Sequence, residues 1–408
     1  MHNTSKVNIF IFCILIGYCF SSEIKILQIS DIHYNNAFNI DYPNQWCQSN
    51  DLTPKTDLDH RYGIINCNPP IDLIDAVFEH SSKQAKYSAI VLSGDICSHE
   101  LTDSLYRQCN EILVKKLKQY YGDTPIIFAM GNNDTPTPKN ITCSDQYYEF
   151  LYNKFVDYIP RNQKEQYLRN ACYSQTVDGQ LYIVINTNLL NPFQHNDCGV
   201  LDWLEKQLSI AKTSSLHPII VGHIPPGVSS YDLKAQLKEE YQNRLFTIIK
   251  KYKSTINSFL LGHIHRDEFR LLPSEDPVVM LVAIGISPVY TNNPGYKIFL
   301  TTPNRAEGYI DSTQYTMNLN ESNIQKFPVW FKPYSFITEY QVKDISISSL
   351  QQVKSLIFND VMKGSMYRWR TVGLYDLNEI QIKCAITATS KEEMLQCTQS
   401  STCVGLKY

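Results

Sequence analysis

The feature that most constrains this chain is a pattern that recurs five times: an apolar run of strand length that stops at glycine, aspartate, asparagine or histidine. Ile24-Lys25-Ile26-Leu27-Gln28-Ile29-Ser30 empties into Asp31-Ile32-His33, and Ala89-Ile90-Val91-Leu92 into Ser93-Gly94-Asp95. Pro125 to Met130 ends at Gly131-Asn132-Asn133-Asp134, His217 to Val221 at Gly222-His223, and Ser258 to Leu261 at Gly262-His263-Ile264-His265. Helical spacing fills the intervals, over 71–86, 100–121, 145–158, 200–212 and 233–251. A further strand is expected over 181–186 and β-like runs from 278 to about 300. Strands alternating with helices predict an α/β sheet protein, and in open α/β sheets ligands bind at the carboxyl ends of the strands.

Each exit alone is ordinary turn chemistry, since Asp, Asn and Gly all favour turns. Together the five exits bring Asp31, His33, Asp95, Asn132, His223, His263 and His265 to what should be one edge. These are side chains of metal-ligand type, and neutral imidazole is the commonest protein metal ligand. His263 and His265, one residue apart at a strand end, project the same way and can serve neighbouring ions. Five coincident turn accidents are a poorer account than a metal centre.

The rest of the chain sets the context. A net charge of −3 gives no sign of a nucleic-acid-binding surface, and 43% apolar residues suffice for a large core. Lys6 followed by the apolar run Val7 to Phe20 and by Ser21-Ser22 reads as a secretory signal over 1–22, too short to span a bilayer. The expected protein is exported to the extracellular space or to a lysosomal or vacuolar lumen, has no stable membrane span, and is a monomer. Twelve cysteines, two of them in the signal, suit an oxidising compartment. Cys47 and Cys67 can close the polar loop over 34–69, and Cys384, Cys397 and Cys403 can pin the C-terminal segment; the pairing is left open. Asn140 and Asn320 sit in glycosylation sequons. Asn133 does too, but within an exit, where it should stay unmodified. Beyond about residue 300 the pattern changes, with helices expected over 345–362 and 378–399, so a catalytic domain over 23–300 and a smaller, mainly helical subdomain over 301–408 are expected.

In their order, Asp31-x-His33, Gly94-Asp95, Gly131-Asn132, Gly222-His223 and Gly262-His263-x-His265 resemble the motifs of the calcineurin-like metallophosphoesterases. The resemblance implies a four-layer α/β fold, two mixed β-sheets in a sandwich flanked by helices, with two divalent metal ions at one edge. It places Asp31, His33 and His265 on one ion, Asn132, His223 and His263 on the other, and Asp95 between them. Two carboxylates, four imidazoles and an amide oxygen, without thiolate, suit zinc, iron or manganese, zinc first. Two cations about 3.5–4 Å apart lower the pKa of a shared water, so that hydroxide exists at working pH, and clamp a phosphoryl group. The implied reaction is hydrolysis of a phosphodiester or phosphoanhydride by that bridging hydroxide.

His99, four residues after Asp95, and the Asn293-Pro294 pair are similar to the acid sphingomyelinase-like phosphodiesterases. With about eight residues between the signal and Asp31, no room remains for a saposin domain, which is similar to the branch acting on nucleotides and other soluble diesters. His99 is the expected general acid. Asn133 stands where the superfamily usually has a histidine, and an amide cannot supply a proton. Gly131-Asn132-Asn133-Asp134 also resembles the endopolyphosphatases, so phosphoanhydrides join sphingomyelin-type lipids and nucleotides as substrate classes. Tyr290, Asn293 and Tyr296 are candidate substrate-binding residues, whereas His60, His80, His195 and His217 are expected on the surface or in loops. The competing non-enzyme reading is a secreted binding protein on an inactive phosphoesterase fold, supported by Asn133 alone.

Overall fold

The computed structural model describes residues 22–41, 46–49, 55–136, 141–374 and 378–404. Twelve strands run in chain order as β1 (Ile24–Ile29), β2 (Ala89–Leu92), β3 (Ile126–Phe128), β4 (Tyr173–Val177), β5 (Gln180–Val184), β6 (Ile219–Val221), β7 (Ser258–Leu261), β8 (Glu268–Leu272), β9 (Val278–Val282), β10 (Gly295–Thr301), β11 (Asp311–Thr316) and β12 (Tyr334–Ser335). They form two six-stranded mixed sheets, ordered β12-β11-β10-β1-β2-β3 and β4-β5-β6-β7-β9-β8. The expected pair of mixed sheets with flanking helices is what the chain forms.

The parallel strands explain the common edge. β1, β2 and β3 pair in parallel, with Ile29 opposite Leu92 and Leu92 opposite Phe128. β6 and β7 do the same in the second sheet, with Val221 opposite Leu260. Parallel neighbours end together, so every exit within a sheet opens on the same side. β2, β3, β6 and β7 are buried along their whole length. That is why they read as continuous apolar runs rather than alternating ones. Across the sandwich, the Gln28 side-chain amide of β1 donates to Leu261 O of β7 at 3.0 Å, which brings the two sets of exits face to face.

The flanking helices follow the same logic. Asp103–Tyr121 starts at Thr102, whose hydroxyl accepts from Leu105 N, and stops at Gly122. Its buried Leu105, Tyr106, Cys109, Leu113 and Leu117 recur at helical spacing. Val200–Thr213 and Glu239–Tyr252 likewise each turn an apolar face inward.

Several expectations need correction. The boundary placed at 300/301 falls inside β10, because β11 and β12 extend the first sheet beyond it. The helix expected over 345–362 is two, Ile347–Asn359 and Val361–Val372, because Asp360 leaves helical geometry and caps the second through Lys363 N. The segment over 378–399 divides into Glu379–Cys384 and Lys391–Val404, joined by the Cys384–Cys397 disulfide. Three more disulfides join Cys47 to Cys67, Cys97 to Cys109 and Cys143 to Cys198, while Cys172 is a buried free thiol. Among the described residues, no helix is long and apolar enough to cross a membrane. The signal expected over 1–22 falls, but for its last residue, outside the described residues, as does Asn140. Asn320 is exposed on the helix Leu319–Gln325.

Phe128 of β3 is fully buried and stacks on Phe155, centroids 4.2 Å apart. Phe128→Ala removes that contact and opens a cavity, and is expected to cost about 3–5 kcal/mol of unfolding free energy, read from urea denaturation.

Candidate dinuclear metal centre

All seven exit residues converge, in two sets. The ligand atoms of Asp31, His33 and His265 lie within 4.8 Å of one another, and so do those of Asp95, His223 and His263. His33 Nε2 is 3.1 Å from His265 Nε2, which is 3.5 Å from Asp31 Oδ1. His223 Nε2 lies 3.2 Å from Asp95 Oδ2 and 3.1 Å from Asn132 Oδ1, so Asn132 joins the second set. Asp95 Oδ2 is also 3.4 Å from His33 Nε2, so one carboxylate oxygen touches a histidine of each set.

Backbone groups orient the ligands. His265 Nδ1 donates to Ser287 O at 3.2 Å, which leaves its Nε2 as a lone pair facing His33 and Asp31, and His223 Nδ1 donates to Ser93 O at 2.6 Å, which turns its Nε2 toward Asp95 and Asn132. Asp31 accepts from His263 N at 3.0 Å. Asp31, His33, Asp95, His263 and His265 all have φ between 45° and 73°, a region that costs a non-glycine residue roughly 1–3 kcal/mol each unless the surroundings impose it. Gly94, at φ +93°, makes the turn that leads into Asp95; a Cβ there would lie 2.6 Å from Gly131 N and 2.8 Å from His223 Nδ1.

The electrostatics fit cations. Burial lowers the pKa of His33 well below its ordinary value and brings His263 and His265 to about 3, so all three are neutral with lone pairs available. Burial pushes Asp31 up. Burial alone would raise Asp95 too, but His223 leads the charges that hold it well below the carboxylate range. His223 itself is raised to about 9, since Asp95 and Asp31 outweigh its burial. Converging imidazole nitrogens and buried carboxylates are what divalent cations satisfy, and the mixed nitrogen and oxygen donors suit zinc, iron or manganese.

A cavity of about 210 Å³ opens on the second set and on His265, lined also by His99, Asn133, Tyr231, Asp232 and Tyr290. His99 lies parallel between His33, at 4.3 Å, and Trp46, at 3.9 Å. The Asn68 amide nitrogen donates to Ser98 Oγ, so its oxygen faces His99 and accepts from Nδ1 at 3.1 Å. His99 Nε2 therefore accepts from the Tyr290 hydroxyl at 3.2 Å. Burial holds the His99 imidazole at about 4.

Asn133 lines the cavity, but its backbone and side-chain N–H groups donate to Asp95 at 2.7 and 2.8 Å. It holds the shared carboxylate rather than facing a leaving group. Asn293 and Tyr296 correct the expectation that they line the pocket. The Asn293 amide bonds Gly373 O and Leu319 N, and the buried Tyr296 hydroxyl bonds His80 at 2.8 Å. Tyr296 lies on β10 among His80, Tyr315 and Trp330. His80 is thus a half-buried packing residue. His60, His195 and His217 stay away from the cavity.

Sequence reasoning missed Asp134, which stands in the quoted Gly-Asn-Asn-Asp run. Its buried carboxylate accepts from Asp95 N, Ile96 N and Gly131 N at 2.7–2.9 Å and so ties two exits together. Tyr231, Asp232 and Gln236 were missed because they lie in a connecting segment and not at a strand end.

Gly285 packs against the first set, where a Cβ would lie 2.7 Å from His265 Nδ1 and 3.2 Å from Asp31 Cβ. Gly285→Ala must displace the imidazole. It is expected to weaken metal retention about 10–100-fold, read as metal per chain by elemental analysis after dialysis against a graded chelator.

The calcineurin-like phosphoesterase family matches residues 24–267, and the acid sphingomyelin phosphodiesterase C-terminal region matches residues 277–389. Sphingomyelinase phosphodiesterase D of Dictyostelium discoideum is 29% identical over 92% of this chain and 94% of its own length. Acid sphingomyelinase-like phosphodiesterase 3b of Mus musculus is 28% identical over 82% of this chain and 80% of its own. Human cyclic GMP-AMP phosphodiesterase SMPDL3A is 26% identical over 71% and 69%. The chain belongs to the calcineurin-like phosphoesterases, in their acid sphingomyelinase-like phosphodiesterase family, and is a metal-dependent phosphoric diester hydrolase.

Proposed function

We propose that this is an exported enzyme that hydrolyses soluble phosphodiesters of nucleotide type. Asp31, His33 and His265 hold one divalent cation, Asn132, His223 and His263 the other, and Asp95 joins them; zinc suits the donor set best. The observation that carries the reading is the Asp95 oxygen shared between histidines of the two sets. Cations held there supply charge neutralisation for a phosphoryl group and an acidified water.

The chain's own residues do the rest. Asn133 fixes Asp95 through two hydrogen bonds, and Asp134 fixes the backbone beneath it. His99 is held by Asn68 and by its two stacked neighbours, so it cannot turn away from the cavity. His99 holds its resident proton on Nδ1 toward Asn68, so Nε2 takes a second proton from solvent and gives that one to the leaving oxygen, with the Tyr290 hydroxyl beside it. A second cavity of about 490 Å³ shares Tyr231 and Tyr290 with the first and is lined by Ile40, Ile64, Asn66, Val289 and Thr291. Its size and mixed lining accommodate a nucleoside-sized substituent. The names of the relatives support a diester, one a sphingomyelinase and one a cyclic dinucleotide phosphodiesterase. Four disulfides support an oxidising compartment.

Asn133 favours a second reading. Its side chain is an amide that braces Asp95 and cannot give up a proton, which suits a leaving group that needs none. Phosphoanhydrides, including polyphosphate, meet that condition.

Asp95→Asn is expected to lose at least about 10³-fold in kcat/KM on bis(p-nitrophenyl) phosphate with the circular dichroism spectrum unchanged. His99→Ala should lose about 10²–10⁴-fold on a diester with an alkoxide leaving group, and much less on a nitrophenyl ester. Full activity in Asp95→Asn, or equal losses on both leaving groups in His99→Ala, rejects the assigned roles. Rates of the zinc-loaded enzyme on a dinucleotide, sphingomyelin, a nucleoside triphosphate and polyphosphate decide between the substrate classes.

A further inference from the structure

Between β6 and the helix Glu239–Tyr252, the segment over 226–237 forms part of the cavity wall, contributing Ser229, Tyr231, Asp232 and Gln236. The Tyr231 ring lies 5.2 Å from that of Tyr290 and marks where the two cavities meet. Tyr231 is half exposed, so its own burial does not fix it.

What holds the wall comes from behind. Ser230 is buried; its hydroxyl donates to the Glu268 carboxylate and accepts from Arg266 Nη1 at 2.8 Å. Glu268 is 3.4 Å from Arg270 Nη2, and Arg270 Nη1 donates to Pro226 O at 2.8 Å, where the segment begins. Arg266 follows the ligand His265 directly, and its guanidinium lies over the Tyr231 ring at 5.2 Å. Only 4% exposed, Arg266 makes no ion pair among the described residues. Its charge is offset at a distance by Glu268, which shares the Ser230 hydroxyl with it, and by Asp232, while what it touches directly is Ser230 and Tyr231. On the outer side, Val228 and Leu233 pack on Cys384, Ala385, Ala388 and Met394, and Val228 N donates to Ala388 O at 3.3 Å.

We propose that Ser230 and Arg266 are positioning residues for specificity: they latch the 226–237 wall to the loop that carries His263 and His265, and so set the room for the substrate's non-leaving substituent. The proposal rests on the phosphodiesterase reading and adds the residues that select among diesters. A latch of this kind acts on binding of the large substituent and leaves the metals and the leaving-group chemistry alone.

Two diesters with one leaving group test it: methyl p-nitrophenyl phosphate and the p-nitrophenyl ester of thymidylate. In Ser230→Ala, KM for the thymidylate ester is expected to rise about fivefold or more, with kcat, the methyl ester and metal content all within about twofold of wild type. Tyr231→Ala, at a half-exposed position that tolerates truncation, should raise the same KM, and the double variant should show no further rise, because both changes remove one wall. Should Ser230→Ala not fold, Arg266→Lys carries the test, with the same KM rise at retained kcat. Equal effects on both esters, loss of metal, a fall in kcat alone, additive single changes, or no change overturns the proposal. Calorimetry of thymidylate binding to zinc-loaded protein separates the two readings. A wild type inactive on both esters sinks the hydrolase assignment, whereas weaker thymidylate binding in Ser230→Ala still upholds the wall.

Discussion

The structure depends on one shared carboxylate. Asp95 leaves β2 in the first sheet, yet its Oδ2 lies within 3.4 Å of His33 from that sheet and of His223 from the other. A buried carboxylate cannot stand alone, because desolvation disfavours its charge by several kcal/mol. His223, from the second sheet, supplies the leading charge that keeps it ionised, and the N–H groups of Asn133 satisfy its oxygens. Everything near it serves the same end: Asn133 donates twice to Asp95, Asp134 gathers three backbone amides beneath it, and Gly94 takes the positive φ that turns the chain inward.

The seven candidate ligands were legible in sequence because of how parallel strands are built. A strand buried on both faces must be apolar throughout, so a polar residue marks its end, and parallel strands end on one edge. Asp31, His33, Asp95, Asn132, His223, His263 and His265 all obeyed that rule. The rule fails where burial is one-sided or absent. β4 carries Ser174, Gln175 and Thr176 at the rim of the second sheet and has no apolar run to announce it. Tyr296 failed for another reason. It is near the last histidines in sequence, but on β10 its side chain is committed to the His80 and Trp330 side of the sheet, while Tyr290 in the preceding loop reaches the cavity. Asp360 shows the limit for helices, since a capping side chain can interrupt an otherwise continuous helical pattern.

Asn133 illustrates how a motif departure is absorbed by local geometry. An asparagine in place of a histidine reads in sequence as a missing proton donor. In the fold the same side chain is a brace, its amide hydrogen-bonded to the one carboxylate both ligand sets need. His99 and Tyr290 line the same cavity, where stacking and the Asn68 contact fix the imidazole. Bracing the carboxylate thus falls to a residue other than the candidate proton donors.

That division bears on how the two matched regions relate. The phosphoesterase match ends at residue 267 and the C-terminal match begins at 277, as if two separable units were joined there. The site does not respect that join. Ser287 O orients His265, Ile286 N and Ser287 N bond Ser30 O and Asp31 O at 3.1 and 2.8 Å, and Gly285 leaves room for the His265 ring. Tyr290, which completes the His99 contact, belongs to the same stretch. β10 then pairs with β1, so the strand that delivers Asp31 and His33 is held on one side by the second region. A first region on its own would keep all seven candidate ligands in sequence. It would still lose the carbonyl that sets one imidazole's tautomer, the partner of β1 and the hydroxyl that meets His99. The second matched region therefore helps to build the candidate site through Gly285, Ser287, Tyr290 and β10.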